Sequence, residues 1–286
     1  MQESRKKEIR IKAADFREKC KVGRYGIMNL FRECDSMGYK LLRYPLGDTA
    51  DLGFALRREQ DIVIFTNSSY RLSREIFTLA HEIGHVLLHL HQAASFIDTQ
   101  ITLSDKVNDI REEEANFFAA SLLMPAEEVD RFLDLEVNDF RKNGLSAMDI
   151  ARLMSEFNVS YDMALNRLEN LGKIDGKQHK LLDNEKCEKR VGNLLRAVGG
   201  NAKLNQKTEE KELPYEYIEY LENRTNFRLY KEVFLEESKN DPRDRFVIYR
   251  LGEDKSIYDD CYSNICIKSV YSRDLMIFQK HKKRSL

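Results

Sequence analysis

Residues 73–91 read S-R-E-I-F-T-L-A-H-E-I-G-H-V-L-L-H-L-H, and four of the chain's six histidines fall inside them. The apolar residues Ile76, Phe77, Leu79, Ala80, Val86, Leu87 and Leu88 lie on several sides of a helical pattern, which predicts a helix set into a core, with Ser73 as its N-cap. Within it, His81-Glu82-Ile83-Gly84-His85 fits H-E-x-x-H. Positions four apart stack on one helix face, so both imidazoles can reach one tetrahedral Zn2+ at about 2.0–2.1 Å. Glu82, beside them, is placed to act as base on a water rather than as a ligand.

A catalytic zinc needs a third protein ligand. His91 stands ten positions after His81, but the pattern that uses such a histidine needs a glycine where this chain has Leu88. The other source is an acidic residue on a second helix, expected from about Asp109 to Leu123 and stopped by Met124-Pro125. Glu112, Glu113 and Glu114 are the candidates. The apolar positions Ala115, Ala119 and Leu122 project back to 112 or 111, which turns Glu112 inward. Glu113 and Glu114 are expected on a solvated face. Asn116, one turn on, is expected to orient the Glu112 carboxylate. His89 is a further candidate for supporting the ligands, and Tyr70 and Arg71 are candidates for stabilising an oxyanion.

Upstream, residues 4–20 and 25–37 read as helices, the second capped by Gly38. Residues 39–44, 51–57 and 61–66 read as strands of a small antiparallel meander. Residues 145–174 read as two short helices in a helix-turn-helix-like arrangement, with Ser160 capping the second. That stretch carries three basic side chains against four acidic ones, which argues against DNA contact. Residues 175–213 are polar, and the middle of the stretch reads as a linker or mobile helix-loop. Beyond them, 215–221 is helical in pattern, and 246–251, 256–258 and 265–271 resemble strands. The expected fold is α+β. A zinc peptidase domain at 1–135 with a zincin-like helical core precedes a helical subdomain at 136–180, a linker at 181–212 and a smaller α/β domain at 213–286.

The charge balance, 47 basic against 48 acidic side chains, gives no global pull toward nucleic acid or an anionic membrane. Five scattered cysteines without C-x-x-C spacing suit a reducing compartment. Residues 1–20 hold no apolar stretch of the signal-peptide kind, and no segment approaches a membrane span. A cytoplasmic protein is expected.

The block F-T-L-A-H-E-I-G-H-V-L-L-H at 77–89, followed by E-E-E-A-N-F-F-A-A-S-L-L-M-P at 112–125, closely resembles the ImmA/IrrE family of metallopeptidases. The second block matches every fixed position of E-x-x-A-N-x-F-A-x-x-L-L-x-P, and the likeness continues through F-N-V-S-Y-D-M-A-L-N-R-L-E-N-L-G at 157–172. It covers roughly residues 20–175 and leaves 176–286 unassigned. The resemblance implies Zn2+ as cofactor, Glu112 as third ligand, and a protein substrate of the helix-turn-helix repressor kind, whose loss switches on a mobile element or stress response. The competing expectation is a metal-stabilised regulator that acts by binding protein or DNA without hydrolysis. An intact Glu82 speaks for the enzyme, because a scaffold has no need of a base there.

Overall fold

A computed structural model of the chain describes residues 1–45, 52–58, 61–90, 110–138, 140–186 and 188–210, together with 217–221, 246–251, 257–259 and 275–280. The element order is α1 (Glu3–Glu18), α2 (Leu30–Ser36), β1 (Lys40–Tyr44), β2 (Gly53–Arg58), β3 (Asp61–Asn67), α3 (Leu72–Leu88), α4 (Ile110–Leu123) and α5 (Ala126–Glu136). The short α6 (Phe140–Asn143) follows, then α7 (Ala147–Phe157), α8 (Tyr161–Asn170), α9 (Gly176–Asn184) and α10 (Glu188–Ala197). A 3-10 turn at Ala202–Asn205 and the strands β4 (Tyr217–Leu221), β5 (Phe246–Leu251), β6 (Ile257–Asp259) and β7 (Leu275–Lys280) complete it.

The first sheet corrects the expected antiparallel meander. Its order is β1-β3-β2, with β2 antiparallel to β3 and β1 parallel to it. The run Ile62-Val63-Ile64-Phe65 explains the difference. Val63, Ile64 and Phe65 are all buried, although successive side chains point to opposite faces. An unbroken apolar run of this kind belongs in the middle of a sheet, whereas a meander would leave β3 at its edge.

Helix α2 is shorter than expected. Residues 22–27 form a turn closed by a bridge between Val22 and Ile27, and Asn29 caps the helix by accepting from the Arg32 N–H at 3.1 Å. The helix ends at Ser36, and Gly38 follows at φ +85°. Ser160 caps α8 as expected, accepting from the Met163 N–H at 3.1 Å.

Helix α3 starts at Leu72, so Ser73 is an interior residue and not the cap. Its first turn is closed from elsewhere in the chain. The Leu72 N–H donates to the Gln206 carbonyl at 2.9 Å, Arg71 bridges Lys207, and the Glu209 N–H donates to the Ser68 carbonyl at 3.0 Å. The stretch expected as a linker at 181–212 thus holds the end of α9, all of α10 and a 3-10 turn, with Leu182, Val191, Leu195 and Leu204 buried in the core.

The second sheet has the order β4-β7-β5-β6 and is antiparallel throughout. It corrects the helix expected at 215–221: Tyr217–Leu221 is a strand paired with β7. Y-I-E-Y-L is too short for its periodicity to decide, and its aromatic and β-branched content favours a pleated strand. Strands β5 and β6 fall where two were expected. The strand expected at 265–271 lies outside the described residues, as does His91. Among the described residues no helix is long and apolar enough to cross a membrane.

Candidate metal centre

Helix α3 carries His81, Glu82 and His85, and α4 crosses it closely. Gly84 makes the crossing possible. A Cβ at that position would lie 3.1 Å from the Ala115 Cα and 3.2 Å from the Phe118 ring, so a larger residue would push the helices apart. The close approach carries Glu112, in the first turn of α4, up to both histidines.

One Glu112 carboxylate oxygen lies 3.2 Å from His81 Nε2 and the other 3.1 Å from His85 Nε2. The two Nε2 atoms are 2.9 Å apart. One donor atom from each residue falls within 4.8 Å of the others. Bonds of about 2.0–2.1 Å to a tetrahedral cation would set ligand atoms roughly 3.3 Å apart, so these side chains fit a metal with little movement. Their chemistry points the same way. Two imidazole nitrogens and a carboxylate converge with no cationic side chain among them in the described residues, and a bound cation would satisfy all three.

Asn116 completes the arrangement differently from expectation. Its Oδ1 lies 3.0 Å from His81 Nδ1, not on the Glu112 carboxylate. An amide oxygen only accepts, so Nδ1 donates and the Nε2 lone pair is left facing the cluster. Burial, the largest single effect, would lower the His81 pKa, but contact with Glu112, the charges of Glu82 and Glu112 and the bond to Asn116 together outweigh it, and the net shift is upward. Burial, again the largest single effect, would raise Glu112, yet contact with the His81 and His85 imidazoles and their charge together bring it down to about 2. Glu112 is therefore an anion at neutral pH.

Glu82 is buried on α3, one position from His81. Strand β2 passes directly above it. A Cβ on Gly53 would meet the Phe65 carbonyl and the Thr78 methyl at 2.6 Å, with the Glu82 Cγ at 3.6 Å. Glycine here lets the sheet edge come down onto the helix beside the carboxylate.

The expectation of a solvated face for Glu113 and Glu114 holds for only one of them. Glu113 is exposed and lies 3.3 Å from the N-terminal amine. Glu114 is 7 % exposed, and Arg5 of α1 grips it bidentately at 2.8 and 2.6 Å. That grip holds its carboxyl below the ordinary range. His89 packs its ring against His85, with centroids 5.3 Å apart, and turns its Nε2 toward Glu114 at 3.8 Å. Burial pushes His89 down to about 4, with His85 adding to the effect. Tyr70 and Arg71 line a cavity of about 850 Å3 together with Phe77 and Asn116. Phe77 stands one turn before His81 on α3.

Residues 34–169 match the family described as IrrE N-terminal-like domain, a peptidase group. The chain is also 38 % identical over 91 residues to the radiation response metalloprotease IrrE of Deinococcus deserti. That alignment covers 32 % of this chain and 31 % of the relative, so it spans about a third of either protein.

Proposed function

Since residues 34–169 make this chain a member of the ImmA/IrrE family of metallopeptidases, we propose that it is a zinc-dependent endopeptidase that cleaves a regulatory protein, a helix-turn-helix repressor by family resemblance, in the cytoplasm. The observation that carries the reading is the convergence of His81, His85 and Glu112 beside a buried Glu82. The three are the metal ligands in this proposal and Glu82 is the catalytic base. Zinc held there would supply Lewis acidity toward a water and a peptide carbonyl.

The chain's own residues do the rest. Asn116 fixes the His81 ring by accepting from Nδ1, which keeps Nε2 pointed at the cluster. Glu82 accepts the proton of the attacking water and returns it to the departing amine. Burial beside β2 keeps competing water from its carboxylate. Tyr70 and Arg71, which line a cavity together with Asn116, are the candidate donors to a developing oxyanion.

A regulator that only sequesters its partner would need the fold and the metal but not Glu82. The deciding variant is Glu82→Gln. Retained zinc with loss of repressor cleavage supports hydrolysis, whereas a full biological effect from the variant would leave the binding reading.

A further inference from the structure

Arg167 lies on α8 and is 7 % exposed. Its Nε donates to the Met124 carbonyl at 2.9 Å, just past the end of α4. Among the described residues its two terminal nitrogens have neither a hydrogen-bond acceptor nor a carboxylate at ion-pair distance. Burial pushes this guanidinium down to about 10, and neighbouring Arg10 adds to it against a small opposing effect of Glu127. A cation held this way is costly unless an anion reaches it.

Its surroundings leave room for one. Arg167, Asn170, Asn116 and Ala120 line two cavities in common, of about 850 and about 1140 Å3. One runs toward Tyr70 and Phe77, the other between α1 and α4. Glu112, Asn116 and Ala120 stand four apart on α4, so they form a single stripe along that helix. Asn116, which accepts from His81 Nδ1 at 3.0 Å, and Arg167 thus line the same cavities, a trough that begins beside the histidine cluster. From Glu112 to Met124 the chain climbs about 18 Å at 1.5 Å per residue. An extended peptide at about 3.4 Å per residue covers that in roughly five residues.

We propose that Arg167, with Asn170 beside it, is a specificity-determining anchor for the carboxylate of an Asp or Glu in the polypeptide substrate, roughly five residues from the scissile bond. The inference rests on the endopeptidase reading for its direction along the trough. A guanidinium fork matches a carboxylate bidentately, and on a side chain only 7 % exposed solvent weakens such a pair less than at the surface. The bond to Met124 accounts for Nε alone.

A randomised peptide library displayed on phage, panned against the zinc-loaded full chain carrying Glu82→Gln, tests this without needing turnover. Asp or Glu should be enriched at one fixed position. An enriched peptide should bind about 10- to 100-fold more tightly than its Asn or Gln analogue. Adding Arg167→Gln should erase that difference. Arg167→Lys keeps a donor for the Met124 carbonyl and should lose most of the preference while melting like the parent, which separates recognition from a merely structural clamp. Absence of peptide binding, absence of acidic enrichment, or an enrichment that survives Arg167→Gln at unchanged melting temperature overturns the proposal. So does displacement of the acidic peptide by duplex DNA in an Arg167-dependent way, which would assign the anion to a phosphodiester. Cleavage by the Glu82 chain with no acidic preference sinks only the anchor. Arg167-dependent binding of acidic peptides without any cleavage sinks only the peptidase reading.

Discussion

Glu112 and Glu114 leave the first turns of α4 two residues apart and meet opposite kinds of partner. Glu114 meets Arg5, a cation, in a bidentate pair that needs nothing more. Glu112 meets two imidazole nitrogens, both Lewis bases in the neutral form, at 3.1 and 3.2 Å. One carboxylate is a finished structural pair that ties α1 to α4. The other belongs to a set that a bound cation would complete. Two carboxylates on one helix therefore cannot be read for function by charge alone, and the character of the facing partner decides.

The largest effect that can break this comparison is at the base. Glu82→Gln should reduce peptide hydrolysis by about 10²–10⁴-fold while zinc content stays at the wild-type level, measured by turnover and metal analysis on one preparation. Loss of zinc from that variant would move Glu82 among the ligands. Asn116→Ala should come next. Freed from its amide partner, His81 should bind zinc about 10- to 100-fold more weakly in a chelator competition, with the fold intact by circular dichroism.

Glu114→Gln should leave zinc affinity unchanged and cost stability only, by about 1 kcal/mol or somewhat more, because Arg5 is partly exposed and solvent screens the pair. The same pair gives the smallest effect, a pH dependence. The Glu114 carboxyl is held below its ordinary value in the folded chain. Its contribution should be full above the unfolded carboxylate range and fade as pH falls through the lowered folded value. Melting curves of wild type and Glu114→Gln should therefore converge on acidification below about pH 4. Curves that stay parallel to low pH would show that the ion pair is not what the substitution removes.

The contrast also explains what the sequence could and could not reveal. His81, Glu82 and His85 are visible because a helix converts spacing of four into shared direction, and the apolar phase of 115–122 turns Glu112 the same way. Glu114 was misread because its partner stands 109 residues away, beyond any local pattern. Strand order in the first sheet is non-local for the same reason, although the unbroken run at 62–65 hinted at a central strand. Closure of the α3 N-terminus by residues 206–209 is made of backbone groups, which every residue carries and no composition betrays. Those polar residues looked like a linker, while their buried leucines and valine tie them to the core. Arg167 hid in a charge count, since an arginine on an amphipathic helix ordinarily faces water.

Zinc stoichiometry of the purified full chain as wild type, Glu112→Ala and Glu114→Ala tests the central claim most directly. The account predicts about one zinc per chain in wild type and in Glu114→Ala, and well below one in Glu112→Ala. Equal zinc in all three, or loss with Glu114→Ala alone, would contradict it.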